Sequence, residues 1–177
     1  MSARSRQDGG GRKAAAPDRT RAELDRVLEG LSREDATRQV DGGSSFAWTL
    51  AHLSNQLDTW INVRLQHLPQ NPVFDVPGWG FGGTGAADNW DEIRKAADDV
   101  RNTARPYLES LDEADLAVAM PYAGSLPELV GKQVTVPYTL LRIAAHTFFH
   151  IGDIASVRSR RLGHSVGDYP GPLLACL

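Results

Sequence analysis

The chain has a single cysteine among its 177 residues, Cys176, which excludes an intramolecular disulfide. So little thiol fits a reducing compartment, and Cys176 is expected to be incidental rather than a nucleophile. Long apolar runs are also missing. No stretch approaches the roughly 18 consecutive apolar residues of a membrane-spanning helix. Nor does a hydrophobic segment follow the charged N-terminal residues, as it would in a secretory signal. A soluble, cytoplasmic protein with no membrane partner is expected. Positive charge is not in excess: 19 Lys plus Arg stand against 22 Asp plus Glu, for a net charge of −3. That balance argues against general attraction to nucleic acid or to anionic membranes. Runs of β-branched and aromatic residues that would build a parallel sheet are absent too, which weighs against α/β architectures.

What remains is helical periodicity. Residues 1–16, with Gly9-Gly10-Gly11 and scattered charges, have no apolar pattern and read as a disordered tail. Residues 17–177 read as a single domain. Pro17 opens a first helix carrying Leu24, Val27, Leu28 and Leu31 at three- and four-residue steps. Ser32, followed by Asp35, caps a short extra turn. Ser44 or Ser45 caps a second helix whose stripe, Phe46, Leu50, Leu53, Leu57, Trp60, Ile61, Leu65 and Leu68, continues until Pro69. Asp88 or Asn89 caps a third, with Ile93, Ala97, Val100 and Ala104 inward. Pro106 allows a kink or an early end in it. The segment 112–120 carries no clear signal, and 121–134 reads as irregular chain with room for a short hairpin. A fourth helix starts at Pro137 and ends at Gly163, and the last residues are expected to lie back along the bundle.

Four such helices specify an all-α fold, a four-helix bundle. A long crossover loop over 69–88 lets the second and third helices run parallel, giving an up-down-down-up order. Gly78, Gly80 and Gly83 in that loop formally satisfy G-x-G-x-x-G. The strand, the helix opening from the glycines and the βαβ setting that a dinucleotide site needs are missing. The glycines therefore read as features of a flexible crossover.

Five histidines are present, and three of them are candidates for chemistry. His146 and His150 stand four residues apart on the fourth helix. At about 3.6 residues per turn that spacing puts both imidazoles on one face. His52 lies near the buried stripe of the second helix. Three neutral imidazoles suit Zn or Ni, with Fe or Mn as further candidates, and leave coordination positions open. Thr147 follows His146 where H-E-x-x-H peptidases carry their glutamate, so peptidase chemistry is not expected. Diiron bundles need Glu-x-x-His pairs, which are also missing. Asp153, seven residues past His146, is the candidate catalytic residue; it could orient a ligand, move a proton or serve as a fourth ligand. Trp48, Trp79 and Phe81 are candidate pocket walls.

The runs SSFAWTLAHLSNQLDTW and HTFFHIGDIASVRSRRLG, with one histidine, a long link and then H-x-x-x-H, resemble the DinB/YfiT-like superfamily over about residues 20 to 165. That resemblance implies an up-down-down-up four-helix bundle, frequent homodimers, and a divalent metal held by His52, His146 and His150. It also implies thiol-dependent S-transferase or isomerase chemistry with a low-molecular-weight thiol such as mycothiol, bacillithiol or glutathione. Relatives often carry glutamine where this chain has Asp153. The function expected is a metal-dependent thiol S-transferase or hydrolase acting on small electrophiles. Its alternative is a non-catalytic stress-related or binding bundle with a structural or vestigial metal site.

Overall fold

The computed structural model describes residues 15–80, 82–124 and 126–167, and for 15–19 only the backbone. Of the tail expected over residues 1–16, residues 15 and 16 belong instead to the first helix, and the rest, with the side chain of Pro17, Phe81 and the chain after residue 167 including Cys176, lies outside the described residues. In order come α1 (Ala15–Leu28), α2 (Arg33–Thr37), α3 (Phe46–Leu57), α4 (Trp90–Ser110), α5 (Glu113–Ala117), strands β1 (Ala119–Pro121) and β2 (Gln133–Thr135), and α6 (Val136–Arg161). The protein is mostly helical. No helix among the described residues is long and apolar enough to cross a membrane.

The helix boundaries follow the side chains expected to set them. Ser32 accepts from Asp35 N at 3.0 Å, and Ser45 accepts from Trp48 N at 3.1 Å. Thr135 accepts from Tyr138 N at 3.3 Å, with Pro137 in the first turn of α6. Each cap satisfies an amide that would otherwise lack an intrahelical partner. Asn89 caps α4 by position alone, its amide turning instead to Glu92 Oε2 at 2.9 Å. Gly163, at φ +70°, closes α6. The 26 residues of α6 span about 39 Å at about 1.5 Å each. Pro106 neither ends α4 nor lies in the core, since it is exposed and the helix continues to Ser110.

α3 departs from the regular helix expected up to Pro69. It continues as a π-helix over Asp58–Val63 and ends soon after, with His67 at φ +57°. The cause is polar. Asp58 and Asn62 are both buried, and such groups stay buried only when bonded. Asn62 donates to Asp58 Oδ1 at 2.8 Å and to the Val100 carbonyl of α4 at 3.2 Å. Asp58 Oδ2 accepts from Asn71 N at 2.7 Å. Widening the turn lets these groups reach α4 and the loop together. The segment 112–120, unassigned from sequence, forms α5 through a capping box on Asp112 and then pairs β1 antiparallel to β2, Met120 opposite Val134. The short hairpin allowed for over 121–134 is therefore present, starting two residues earlier.

α3 packs on both α4 and α6, and α6 also packs on α1. Their common core includes Leu24, Val27, Leu50, Leu53, Ile93, Val100, Ile151 and Ile154. Arg158 sits inside this seam. Its place in the last turn of α6 suits a cation, and it is buried with its Nη1 donating to the Val27 carbonyl at 2.7 Å. That carbonyl belongs to the last turn of α1, where no intrahelical donor remains. Arg158→Ala is expected to lower stability by about 2 kcal/mol, the range for a buried hydrogen bond from a charged donor. For a chain of this size that is roughly 5 °C in melting temperature, which thermal denaturation would measure.

Candidate metal centre

His52 projects from the middle of α3; His146 and His150 project from α6. The candidate ligand nitrogens of the three lie within 4.8 Å of one another. His146 is central, its Nε2 3.2 Å from His52 Nε2 and 3.2 Å from His150 Nε2. All three rings are half-buried.

The outer nitrogens explain why the inner ones converge. His52 Nδ1 is 2.5 Å from the Trp79 carbonyl. A carbonyl only accepts, so the proton is on Nδ1 and a neutral His52 presents a bare Nε2. His150 Nδ1 lies 3.4 Å from Asp153 Oδ2, an acceptor that favours the same tautomer. Two lone pairs are thereby aimed at His146. His146 Nδ1 is buried without a hydrogen-bond partner among the described residues.

A single proton on His146 Nε2 could satisfy one of these neighbours and not both. A cation would satisfy all three. A tetrahedral ion with metal–nitrogen bonds of about 2.0–2.1 Å holds its ligand atoms about 3.3 Å apart, close to the 3.2 Å found here. The donor set therefore fits a divalent metal. Among the described residues no fourth His, Cys, Asp or Glu joins the group, which is the pattern of an open site rather than a closed structural one.

The loop between α3 and α4 supplies the support for His52. Trp48 stacks on the His52 ring at 4.9 Å and 8°, and Trp48 Nε1 donates to the Gly78 carbonyl at 2.9 Å. Trp79 is anchored by its own Nε1 on the Val73 carbonyl at 2.9 Å, and Phe74 is buried. Of the expected pocket walls, Trp48 borders the cluster with its ring, whereas Trp79 contributes a backbone carbonyl. Gly83 has a role that no phosphate motif explains. A Cβ on Gly83 would stand 2.0 Å from Gly78 O and 3.0 Å from the Trp48 ring, so the loop closes on itself only because that position is bare. The loop is thus fastened to α3, not loose as expected. Asp153 is brought to the outer nitrogen of His150 rather than into the ligand group, and its side chain is 59% exposed.

Burial, then the charges of His150, His52 and Arg142, push His146 down from an ordinary 6.5 to about 4. His150 is also held below its usual value, by burial and then by His52, with Asp153 pulling the other way. In chelator-treated protein the sign follows directly. Between about pH 6.5 and pH 4 the unfolded chain takes up a proton that folded His146 refuses, so stability falls as pH drops through that window. With a discount of about half for solvent screening, the loss is about 1–2 kcal/mol, roughly 3–6 °C. Thermal melts at pH 7 and pH 4.5 check it, with His146→Gln expected to show the smaller decline.

An apolar cavity of about 190 Å³ lies elsewhere, lined by Leu24, Leu53, Leu57, Ile61, Leu108 and Ile143 among others. It shares no residue with the cluster and meets a different face of α6, so the convergent polar chemistry belongs to the histidines. None of the curated proteins searched matches the chain. A family model described as the DinB superfamily matches residues 16–154, a span that holds all three histidines and Asp153. With that match over most of its length, and a three-histidine cluster held between α3 and α6, the chain belongs to the DinB superfamily.

Proposed function

We propose that His52, His146 and His150 hold a divalent cation, Zn or Ni before Fe or Mn, in an enzyme that transfers a low-molecular-weight thiol or water to a small electrophile. The observation that carries this reading is the pair of engaged outer nitrogens, which leaves bare Nε2 atoms converging on His146. A bound divalent ion supplies Lewis acidity and lowers the pKa of a coordinated thiol or water toward neutrality. The chain does the rest. Trp79 and Asp153 fix the tautomers of His52 and His150, Trp48 holds His52 flat, and the half-buried setting limits water at the ligands. Asp153 stands at the exposed edge, where its carboxylate can receive a proton and pass it to solvent.

In this reading the four long helices form one up-down-down-up bundle over residues 17–177, working in the cytoplasm. Leu141 and Phe149 are 70% and 68% exposed on α6, which supports a homodimer through that helix. The test is turnover. Metal-loaded protein is assayed with glutathione, mycothiol and bacillithiol against one reactive electrophile, beside the variant with all three histidines changed to alanine. Thiol-dependent turnover by the first and none by the second is expected. Equal turnover by both would rule the reading out.

A further inference from the structure

One turn along α6 from His146 stands Arg142, and two turns on from His52, in the π-helical stretch that continues α3, stands Trp60. The Arg142 guanidinium carbon lies 5.2 Å from the Trp60 ring centroid, and that of Arg64 lies 4.3 Å from it. Tyr122, brought over by the strand β1, stacks on Trp60 at 5.7 Å and on Arg64 at 4.8 Å. Two cations therefore share one buried indole. Neither has a carboxylate within ion-pair distance among the described residues. Arg64 Nη1 and Arg142 Nε are buried with no hydrogen-bond partner, and so is the Gln56 Oε1 oxygen between His52 and Trp60.

Aromatic faces stabilise guanidinium groups without using their in-plane N–H donors. Both arginines thus keep directional donors in a setting that disfavours an uncompensated charge. Elsewhere on this chain the arginines of α1 and α4 that approach a carboxylate are bonded to it, as Arg26 is to Glu23 and Arg101 to Asp25. What the unpaired donors beside Trp60 fit is an anionic oxygen group arriving from outside. Arg142 and His146 are separated by about 6 Å along the helix. Trp60 itself stands eight residues, about 12 Å, past His52, so a ligand held by the arginines extends about 6–12 Å toward the histidines.

The geometry points to a carboxylate-binding subsite formed by Arg64 and Arg142 on Trp60, which anchors a small carboxylic acid with its reactive carbon at the three-histidine cluster. As a substrate class this rests on the function proposed above; as an anion site it does not. Gly124 sets the boundary of the subsite. A Cβ there would stand 2.4 Å from Arg64 Nη2 and 2.3 Å from Tyr122 Oη, so the chain leaves that corner bare for the guanidinium.

The test titrates the full-length protein, chelator-treated and then Zn-loaded, with succinate and separately with inorganic phosphate at constant ionic strength. Heat and the arginine Nε–H NMR resonances are followed. Saturable succinate binding that moves Arg64 and Arg142 in both preparations is expected. Arg64→Gln and Arg142→Gln should each weaken it about tenfold or more, while Arg105→Gln, at an exposed position of α4, leaves it unchanged. Absence of saturable binding, or both glutamine variants binding like the wild type, would overturn the subsite. Phosphate binding more tightly than succinate would overturn its assignment to carboxylates. If a variant loses its helical circular dichroism, the wild-type resonances decide: shifts at Arg64 and Arg142 support the site, and shifts confined to other arginines refute it. Because the titration is run without metal, its failure and the failure of the metal reading can be told apart.

Discussion

Changing His146 to alanine is expected to abolish divalent-metal binding by this chain. His146 Nε2 is 3.2 Å from the Nε2 of each of the other two rings, so its loss leaves two nitrogens without their shared neighbour. The effect should exceed the roughly 10–100-fold that removal of an outer partner costs. Asp153→Asn, which touches only His150 Nδ1, should stay within that range. Melting temperature gives a second readout. Metal at about 100 times its dissociation constant stabilises a folded chain by about 2.7 kcal/mol, or roughly 5–10 °C at this size. Zn should raise the melting point of the wild type by that amount and leave His146→Ala where it was. Isothermal titration and thermal melts on the two variants and the wild type measure both effects.

Gly83→Ala is expected to be the most disruptive single change outside the cluster. The added methyl would meet the Gly78 carbonyl oxygen at 2.0 Å, a contact with backbone that no side-chain rotation relieves. Residues 78–83 must then move, and with them go the Gly78 acceptor of Trp48 and the Trp79 acceptor of His52. A loss of at least about 3 kcal/mol in stability is expected, by the strain and broken-bond mechanisms behind large single-residue effects. In whatever fraction remains folded, metal affinity should fall about tenfold, as for other losses of outer support. By contrast nothing lies within 4 Å of a Cβ built on Gly80 or Gly152, so Gly80→Ala is the matched control. Urea denaturation of the two variants separates the cases.

The contrast between these glycines shows where sequence reading stops. Capping residues such as Ser32, Ser45 and Thr135 could be read directly, because a cap is a local bond between residues three apart. The histidines were legible for a similar reason. Spacing on α6 puts His146 and His150 on one face, and resemblance to a family named His52 as the third. Gly83 looks like any loop glycine in the sequence, and only a contact with Gly78 and Trp48 gives it a role. Arg158 gives no sign of its burial in the sequence, because a cation in the last turn of a helix suits the dipole there in any case. Its partner, the Val27 carbonyl, lies 131 positions away in the chain. The π-helix at Asp58–Val63 was hidden by an apolar stripe that regular helix explains equally well. Its one available signal was the pair Asp58 and Asn62, polar residues four apart inside that stripe. Arg64 and Arg142 carried no signal at all, since what distinguishes them is that they share Trp60 and have no carboxylate beside them among the described residues.

The central claim is that the three inner nitrogens, and not the outer ones, meet a divalent ion. Long-range ¹H–¹⁵N NMR of the histidine rings during a Zn titration reads each nitrogen separately. The account requires saturation at one ion per chain, with Nε2 of His52, His146 and His150 all moving to metal-bound shifts while Nδ1 of His52 stays protonated. Saturation without movement of those three Nε2 signals, or binding through Nδ1 of His52, would contradict it.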